Sequence, residues 1–439
     1  MNNAQFVNWF RSASPYIRIH RGRTFVIQVG DLTLHSDGFT ALVHDLALLT
    51  SLGVRLVLVF GARTTIEAGL DEKKLASGYH AGIRVTDAKT IGVVKEVVGR
   101  LLLEIQAKLS TGLGNTPMSN AAIRVNTGNY VSAKPLGVID GVDYELTGTT
   151  RAVDTEAMVA KLDNGEIIVL PPLGYSVTGE AYNLSAPALA ADVAVALQAD
   201  KLIYLTEADI LSALSSAHPT DQLHRDDAQQ LLLRLDEQAD SYQYLQHALE
   251  VSDRGVERVH LLNREEDGAI LNELFTRDGS GLMITTSPYD VARTADGNDI
   301  NGILNLIEPH EQQGALVKRS REKLELEADR FTILTRDGVI IGCAGLYPYP
   351  EDAMGEIAGL AVHPDYQHAG HGNRLLDKVE QEAKRQGLHS VFVLTTQAQH
   401  WFLERGFCAA ALTDLPMARQ DLYNYRRNSK ILIKELESS

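Results

Sequence analysis

A chain of 439 residues with 44% apolar and 22% charged side chains has the make-up of a folded protein of two or three domains, which excludes a mainly disordered or fibrous polypeptide. Acidic residues outnumber basic ones by 57 to 41, a formal charge of −16; a phosphate-coating surface needs the opposite balance, so no nucleic-acid partner is expected. The two cysteines, Cys343 and Cys408, supply neither a disulfide framework nor a thiolate metal cluster, and no metal is expected.

Phe6, Trp9, Phe10 and Ala13 recur at helical spacing, so residues 1–20 are predicted to form a helical arm whose apolar face packs on its own domain or on another subunit. The Asn, Gln, Arg and His residues of this arm fit no signal peptide. The apolar run at 188–199, broken by Asp192 and Gln198, is too short for a membrane span. A cytoplasmic protein without membrane contact is the expectation. Residues 24–30 and 55–61 are β-branched runs ending in Gly30 and Gly61, with helical periodicity between them. This strand–helix–strand order continues at 166–174, 186–206 and 258–275, and predicts a parallel sheet in an α/β domain over residues 21–284. Residues 285–298, rich in Thr, Asp, Gly and Ser, read as a linker. Residues 299–439 read as a helix, a hairpin turning at Asp337-Gly338, further alternating strands and helices, and a last strand starting near Arg426: a smaller α+β domain.

Segment 355–372 carries the main chemical signal. Gln367, Gly370 and Gly372 form a Q-x-x-G-x-G loop between a strand and a helix start. Backbone N–H groups and the helix dipole favour a pyrophosphate there, and glycine permits close approach. Alone, the loop is equally a glycine-rich turn. With the strand ending Ala361-Val362-His363-Pro364, the strand at 391–396 and Glu404-Arg405-Gly406-Phe407, the order of elements resembles the GNAT superfamily of acyl-CoA N-acyltransferases over residues 285–439. The resemblance implies acetyl-CoA as co-substrate. Its pantetheine would pair with the backbone of Leu360, Ala361 and Val362, and its pyrophosphate would lie on Gln367, His368, Ala369, Gly370, His371 and Gly372.

An α-ammonium, with a pKa of roughly 8, is protonated at neutral pH and needs a base before it can attack a thioester. Glu356 is assigned that role through a water; the alternative is a solvated strand-edge glutamate. Thr395 and Thr396 are assigned to the departing thiolate or the water, unless they cap the strand. Substrate carboxylates need cationic partners. Lys318, Arg319, Arg419 and Arg427, with Ser429, are the candidates; Arg321, Arg426 and Lys430 flank them, and each is otherwise a surface residue.

In the amino-terminal domain, residues 25–30, 57–70, 82–87, 141–148, 182–207 and 259–284 resemble the amino-acid kinase family, chiefly its N-acetylglutamate kinase branch. The fold implied is an amino-acid kinase-like parallel-sheet sandwich followed by a GNAT domain. Gln28, however, stands where that family has a lysine, Pro187 where it has an aspartate, and Gly61-Ala62-Arg63 where it has a glycine-rich turn, although Lys201 remains. Glutamine cannot neutralise a developing phosphoryl charge, so the domain is expected to bind or assemble rather than to phosphorylate.

A degenerate kinase domain joined to a GNAT domain resembles the bacterial N-acetylglutamate synthase family along essentially the whole chain. That resemblance implies direct acetyl transfer from acetyl-CoA to L-glutamate, the first step of arginine synthesis. It also implies L-arginine as feedback inhibitor on Lys201, His260, Glu273 and Gly279, and a homohexamer formed through the N-terminal helix and kinase-like domain. His260 is otherwise a satisfied core histidine. Gly359 departs from the family's cysteine, and Lys318 and Asn428 from its arginines. Two other readings stay open: an active amino-acid kinase fused to an acyltransferase of other specificity, and a nonenzymatic arginine sensor. ATP turnover and acetyl-CoA turnover separate them.

Overall fold

The structure, a computed structural model, describes residues 3–36, 38–110, 123–217, 222–237, 239–276, 279–286, 290–336, 339–367 and 370–436; for 3–6, 8, 216, 217 and 365 only the backbone is described. The chain divides into two compact units, residues 1–287 and 288–439.

In the first unit, strand Thr24–Val29 is buried along its whole length and pairs in parallel with Arg55–Phe60 on one side and Lys201–Thr206 on the other. Such a strand, covered on both faces, is the continuous apolar run seen in the sequence. Side-chain alternation sends Phe25, Ile27 and Val29 to one core layer with Phe39, Leu46 and Val94, and Val26 to the other with Leu189, Ala190 and Leu245. Eight strands make up the sheet, with Gln222–His224 and Arg124–Asn126 at its edges. Leu282–Thr285 runs antiparallel to Arg258–Asn263. A separate four-stranded sheet is built from Ala181–Asn183, Leu173–Tyr175, Val131–Pro135 and Gly148–Val153. The helix-covered parallel sheet is the fold expected from the strand–helix alternation.

The N-terminal helix spans Asn3–His20. At its end His20 is buried between Phe25 and Phe275 and donates from Nε2 to the Leu274 carbonyl at 2.8 Å. Ala13 is buried, but Trp9 and Phe10 are 43% and 54% exposed. The side chain of Phe6 and the turn at Asp337-Gly338 lie outside the described residues.

The second unit is a seven-stranded sheet in the order Asp290–Thr294, Phe331–Arg336, Val339–Tyr349, Met354–Val362, Ser390–Thr395, Lys430–Glu435, Cys408–Ala409. Helix His371–Arg385 covers one face through Leu375, Leu376, Val379 and Ala383, and helix Ile300–Gln312 the other through Ile303, Leu306 and Ile307. Two sequence expectations are corrected here. The supposed linker 285–298 contains strand Asp290–Thr294, which pairs with Phe331–Arg336 from Asp290↔Arg336 to Thr294↔Thr332. It is a short edge strand, with Arg293 and Thr294 exposed alongside Val291, and its composition resembles a loop. The last strand begins at Lys430 rather than near Arg426, because the Asn424 side chain accepts from the N–H groups of Arg426 and Arg427 and Asn428 has φ +47°. Among the described residues no helix is long and apolar enough to cross a membrane.

Candidate active site

Two neighbouring strands of the second unit, Met354–Val362 and Ser390–Thr395, pair in parallel at Met354↔Ser390, Gly355↔Val391 and Glu356↔Phe392. Among the described residues the ladder ends there, although both strands continue. On its other edge the first strand carries an extra residue: Cys343 faces Ala361 while Gly345 faces Ala358. A bulge bends its strand and re-aims the residues beside it. Gly359 sits in it at φ +67°, a left-handed conformation that side chains resist, and an added Cβ would lie 3.2 Å from Arg319 Nη1. The result is a notch between two parallel strands, with the main chain of Leu360, Ala361 and Val362 along one wall.

Glu356 occupies the last paired position. Its carboxylate accepts from Arg419 Nε at 2.7 Å and Nη2 at 3.1 Å, while Arg419 Nη1 donates to the Leu422 carbonyl at 3.2 Å. The Glu356 hydrogen bonds raise the Arg419 pKa further. Burial, then the Glu356 charge, raises the Tyr349 hydroxyl. The expected base and one expected carboxylate-binding cation thus meet each other. Thr395 Oγ1 accepts from the N–H groups of Gln397 (3.3 Å) and Ala398 (2.9 Å), which makes it a cap for the following turn, and Thr396 is exposed.

The other candidate cations divide. The Arg319 N–H donates to Glu311 Oε1 at 2.9 Å and its guanidinium lies 5.9 Å from the Phe331 ring centroid. Its Nη1 is buried beside the bulge without a hydrogen-bond partner, a costly state for a guanidinium. Arg427 Nη2 donates to the Ala315 carbonyl at 2.6 Å, fastening the turn before the last strand to the loop that carries Arg319. Ser429 is buried, and its carbonyl accepts from the Tyr423 hydroxyl at 2.8 Å. Lys318 is exposed.

Gly370, at φ +79°, precedes helix His371–Arg385, whose first turn holds no acidic residue. Gly372 lets Trp401 approach: an added Cβ would lie 2.9 Å from Trp401 Cζ2. Gln367 Nε2 donates to the Val362 carbonyl at 3.2 Å. His368 and Ala369 lie outside the described residues. The His371 side chain lies inside the fold. It is 4% exposed, and its Nδ1 lies 3.2 Å from Asp290 Oδ2 without hydrogen-bonding geometry. Burial lowers its pKa and Asp290 opposes the shift. Asp290, which sequence reasoning missed, also accepts from Arg336 and Arg374. Its only sequence signal was an acid opening a short run of Val, Ala and Thr.

In the first unit the four residues expected to hold arginine come together. Lys201 Nζ donates to His260 Nε2 at 3.2 Å, and His260 Nδ1 donates to Glu273 Oε1 at 2.6 Å. Glu273 Oε2 accepts from the N–H groups of Ser280 and Gly281 at 2.8 and 3.1 Å. Gly279 has φ +68°, and an added Cβ would lie 2.5 Å from Glu273 Oε2. An ammonium on one side and a carboxylate on the other select a neutral His260 with its proton on Nδ1. Burial, reinforced by Lys201, lowers the His260 pKa. Burial pushes the Glu273 carboxyl up, but the hydrogen bonds from His260, Ser280 and Gly281 outweigh it and hold it down at about 2.

At the two positions where the resemblance to the amino-acid kinase family implies a lysine and an aspartate, this unit carries the neutral Gln28 and Pro187. Gln28 is buried and accepts from the Tyr244 hydroxyl at 3.4 Å; the Tyr204 hydroxyl donates to the Pro187 carbonyl at 3.2 Å. Asn183 donates to Thr86 Oγ1 at 3.1 Å. Among the described residues no group of three or more His, Cys, Asp or Glu could hold a metal ion.

Comparison with known proteins bears on both units. Residues 23–263 match the amino acid kinase family and residues 300–407 the acetyltransferase (GNAT) family. The chain is 45% identical over 438 residues to an amino-acid acetyltransferase of Yersinia enterocolitica, covering 99% of each chain, and to one of Yersinia pestis to the same extent. Among solved structures it resembles N-acetylglutamate synthase of Neisseria gonorrhoeae complexed with coenzyme A and L-arginine, with 38% identity, a TM-score of 0.88, and coverage of 99% of this chain and 100% of that one. The same synthase complexed with coenzyme A and N-acetyl-glutamate matches with a TM-score of 0.62 at the same identity and coverage.

Proposed function

This chain belongs to the amino-acid acetyltransferase family, and we propose that it transfers the acetyl group of acetyl-CoA to the α-amine of L-glutamate, giving N-acetyl-L-glutamate and coenzyme A. The observation that carries this reading is the strand ladder that ends at Glu356↔Phe392 beside the Gly359 bulge. Such a notch admits an extended pantetheine as a substitute strand, with its amides on Leu360, Ala361 and Val362. The Gln367–Gly372 turn receives the pyrophosphate at the helix start.

One glutamate carboxylate completes the hydrogen bonding of Arg319 Nη1, and the other takes Arg419 away from Glu356. Lys318, Arg427 and Ser429 would help to position the two carboxylates. Once released, Glu356 accepts the ammonium proton, directly or through a water. The amine nitrogen bonds to the thioester carbon, and a strand N–H stabilises the oxyanion. Collapse breaks the carbon–sulfur bond and expels the thiolate toward the Thr395 and Thr396 hydroxyls, and the second proton of the amine passes to the sulfur, giving the amide and the free thiol. Thr395 still has its O–H to donate while its oxygen caps the turn.

L-Arginine would act from the first unit, its guanidinium on Glu273 and its carboxylate on Lys201, with Gly279 leaving room. The proposal includes a cytoplasmic enzyme that assembles as a homohexamer. Thiol release from acetyl-CoA, measured with each common amino acid with and without arginine, tests it. Release is expected with glutamate and is suppressed by arginine; a purified protein that releases no thiol with glutamate overturns the reading.

A further inference from the structure

Asp290 opens an edge strand, yet its carboxylate is 5% exposed and receives an unusual share of positive charge. Arg336 donates to it from Nε at 2.7 Å and from Nη2 at 3.2 Å. Arg374 donates from Nη1 to the carboxylate at 3.0 Å and from Nη2 to the Asp290 carbonyl at 2.9 Å. His371 Nδ1 completes the group at 3.2 Å. His371 and Arg374 both belong to the first turn of helix His371–Arg385. Cations are poorly placed at a helix N-terminus, where the dipole is already positive, and a buried carboxylate is tolerated only when paired. The arrangement answers both requirements at once: Asp290 offsets the Arg374 charge, and Arg374, with the His371 ring packed beside the carboxylate, fastens the turn to the sheet. Arg336 sits opposite Asp290 in the strand register and packs over the Tyr366 ring at 5.1 Å, so the near side of the loop is fixed by the same clamp.

We propose that Asp290 is a positioning residue for coenzyme A: acting through Arg374 and His371, it holds the Gly370–Gly372 turn in the geometry that receives the pyrophosphate. This rests on the acetyltransferase reading above and deepens it, because it names what preorganises the anion-binding turn. A preorganised turn contributes affinity for the part of the co-substrate that carries phosphate and nothing to the thioester itself.

The test compares acetyl-CoA with an acetyl thioester of N-acetylcysteamine, which lacks the pyrophosphate, in Asp290→Asn and Arg374→Gln. Asp290→Asn is expected to raise the KM for acetyl-CoA about tenfold, the loss of one charge-assisted contact, while kcat and the rate with the short thioester stay within about twofold. Equal loss with both thioesters makes Asp290 merely structural and overturns the proposal, as does an unchanged KM. If Asp290→Asn does not fold, Arg374→Gln, which leaves the Asp290–Arg336 pair intact, carries the same comparison. A wild-type protein that uses neither thioester defeats the acetyltransferase reading instead, so the two failures are distinguishable.

Discussion

Glu356 and Arg419 were placed in separate roles by sequence, one as base and one as carboxylate anchor, and the structure joins them by two hydrogen bonds. Glu356→Gln keeps the shape and the acceptor oxygen but loses the proton affinity. It is expected to lower kcat about a hundredfold or more, with a much smaller change in the KM for glutamate, in steady-state kinetics. Gly359 makes a different demand. A side chain there costs roughly 1–2 kcal/mol for its left-handed backbone, and its Cβ crowds Arg319 Nη1 at 3.2 Å. Gly359→Ala is therefore expected to lower the melting temperature and to raise the KM for glutamate more than that for acetyl-CoA.

At the scale of elements, the parallel sheet was legible because buried strands such as Thr24–Val29 are continuous apolar runs separated by periodic helices. The first-unit cluster was legible for a different reason. Lys201 and His260 lie on strands Lys201–Thr206 and Arg258–Asn263, which pair side by side with Ile203 opposite His260, Glu273 lies on the helix that follows the second strand, and the family resemblance had already singled them out. Asp290 was not legible, because a short edge strand rich in Asp, Arg and Thr has the composition of a loop, and its partner Arg374 lies on a distant helix. The turn at 424–429 was misread as strand because its hydrogen bonds come from the Asn424 side chain rather than from a neighbouring strand.

The His260 environment yields a pH prediction. Its pKa is lowered in the fold, so the unfolded chain binds the extra proton first, and stability falls as pH drops below about 6.5. Glu273, held at about 2, adds a further loss from about 4.5 downward. Urea unfolding of the first unit at pH 7.5 and 5.5 should therefore show a loss in wild type that is smaller in His260→Gln.

For the molecule as a whole, the N-terminal helix is anchored at one end by His20 and presents Trp9 and Phe10 at the other. Burying each such ring against a second copy is worth about 2 kcal/mol. Trp9→Glu with Phe10→Glu is expected to reduce the proposed homohexamer to smaller species in sedimentation velocity while each subunit stays folded by circular dichroism.

The Glu356–Arg419 pair also matters when the amine is absent. Both Glu356 oxygens are held by Arg419, so on the proposed mechanism neither is offered to a water beside the thioester, and a coenzyme-loaded subunit waiting for its partner molecule would keep its acetyl cargo instead of spilling it to hydrolysis. Arg419→Met, by unclasping Glu356, is expected to speed the idle breakdown of acetyl-CoA in the absence of any amino acid. On that mechanism the latch would tie expenditure of the activated acetyl group to the arrival of its acceptor.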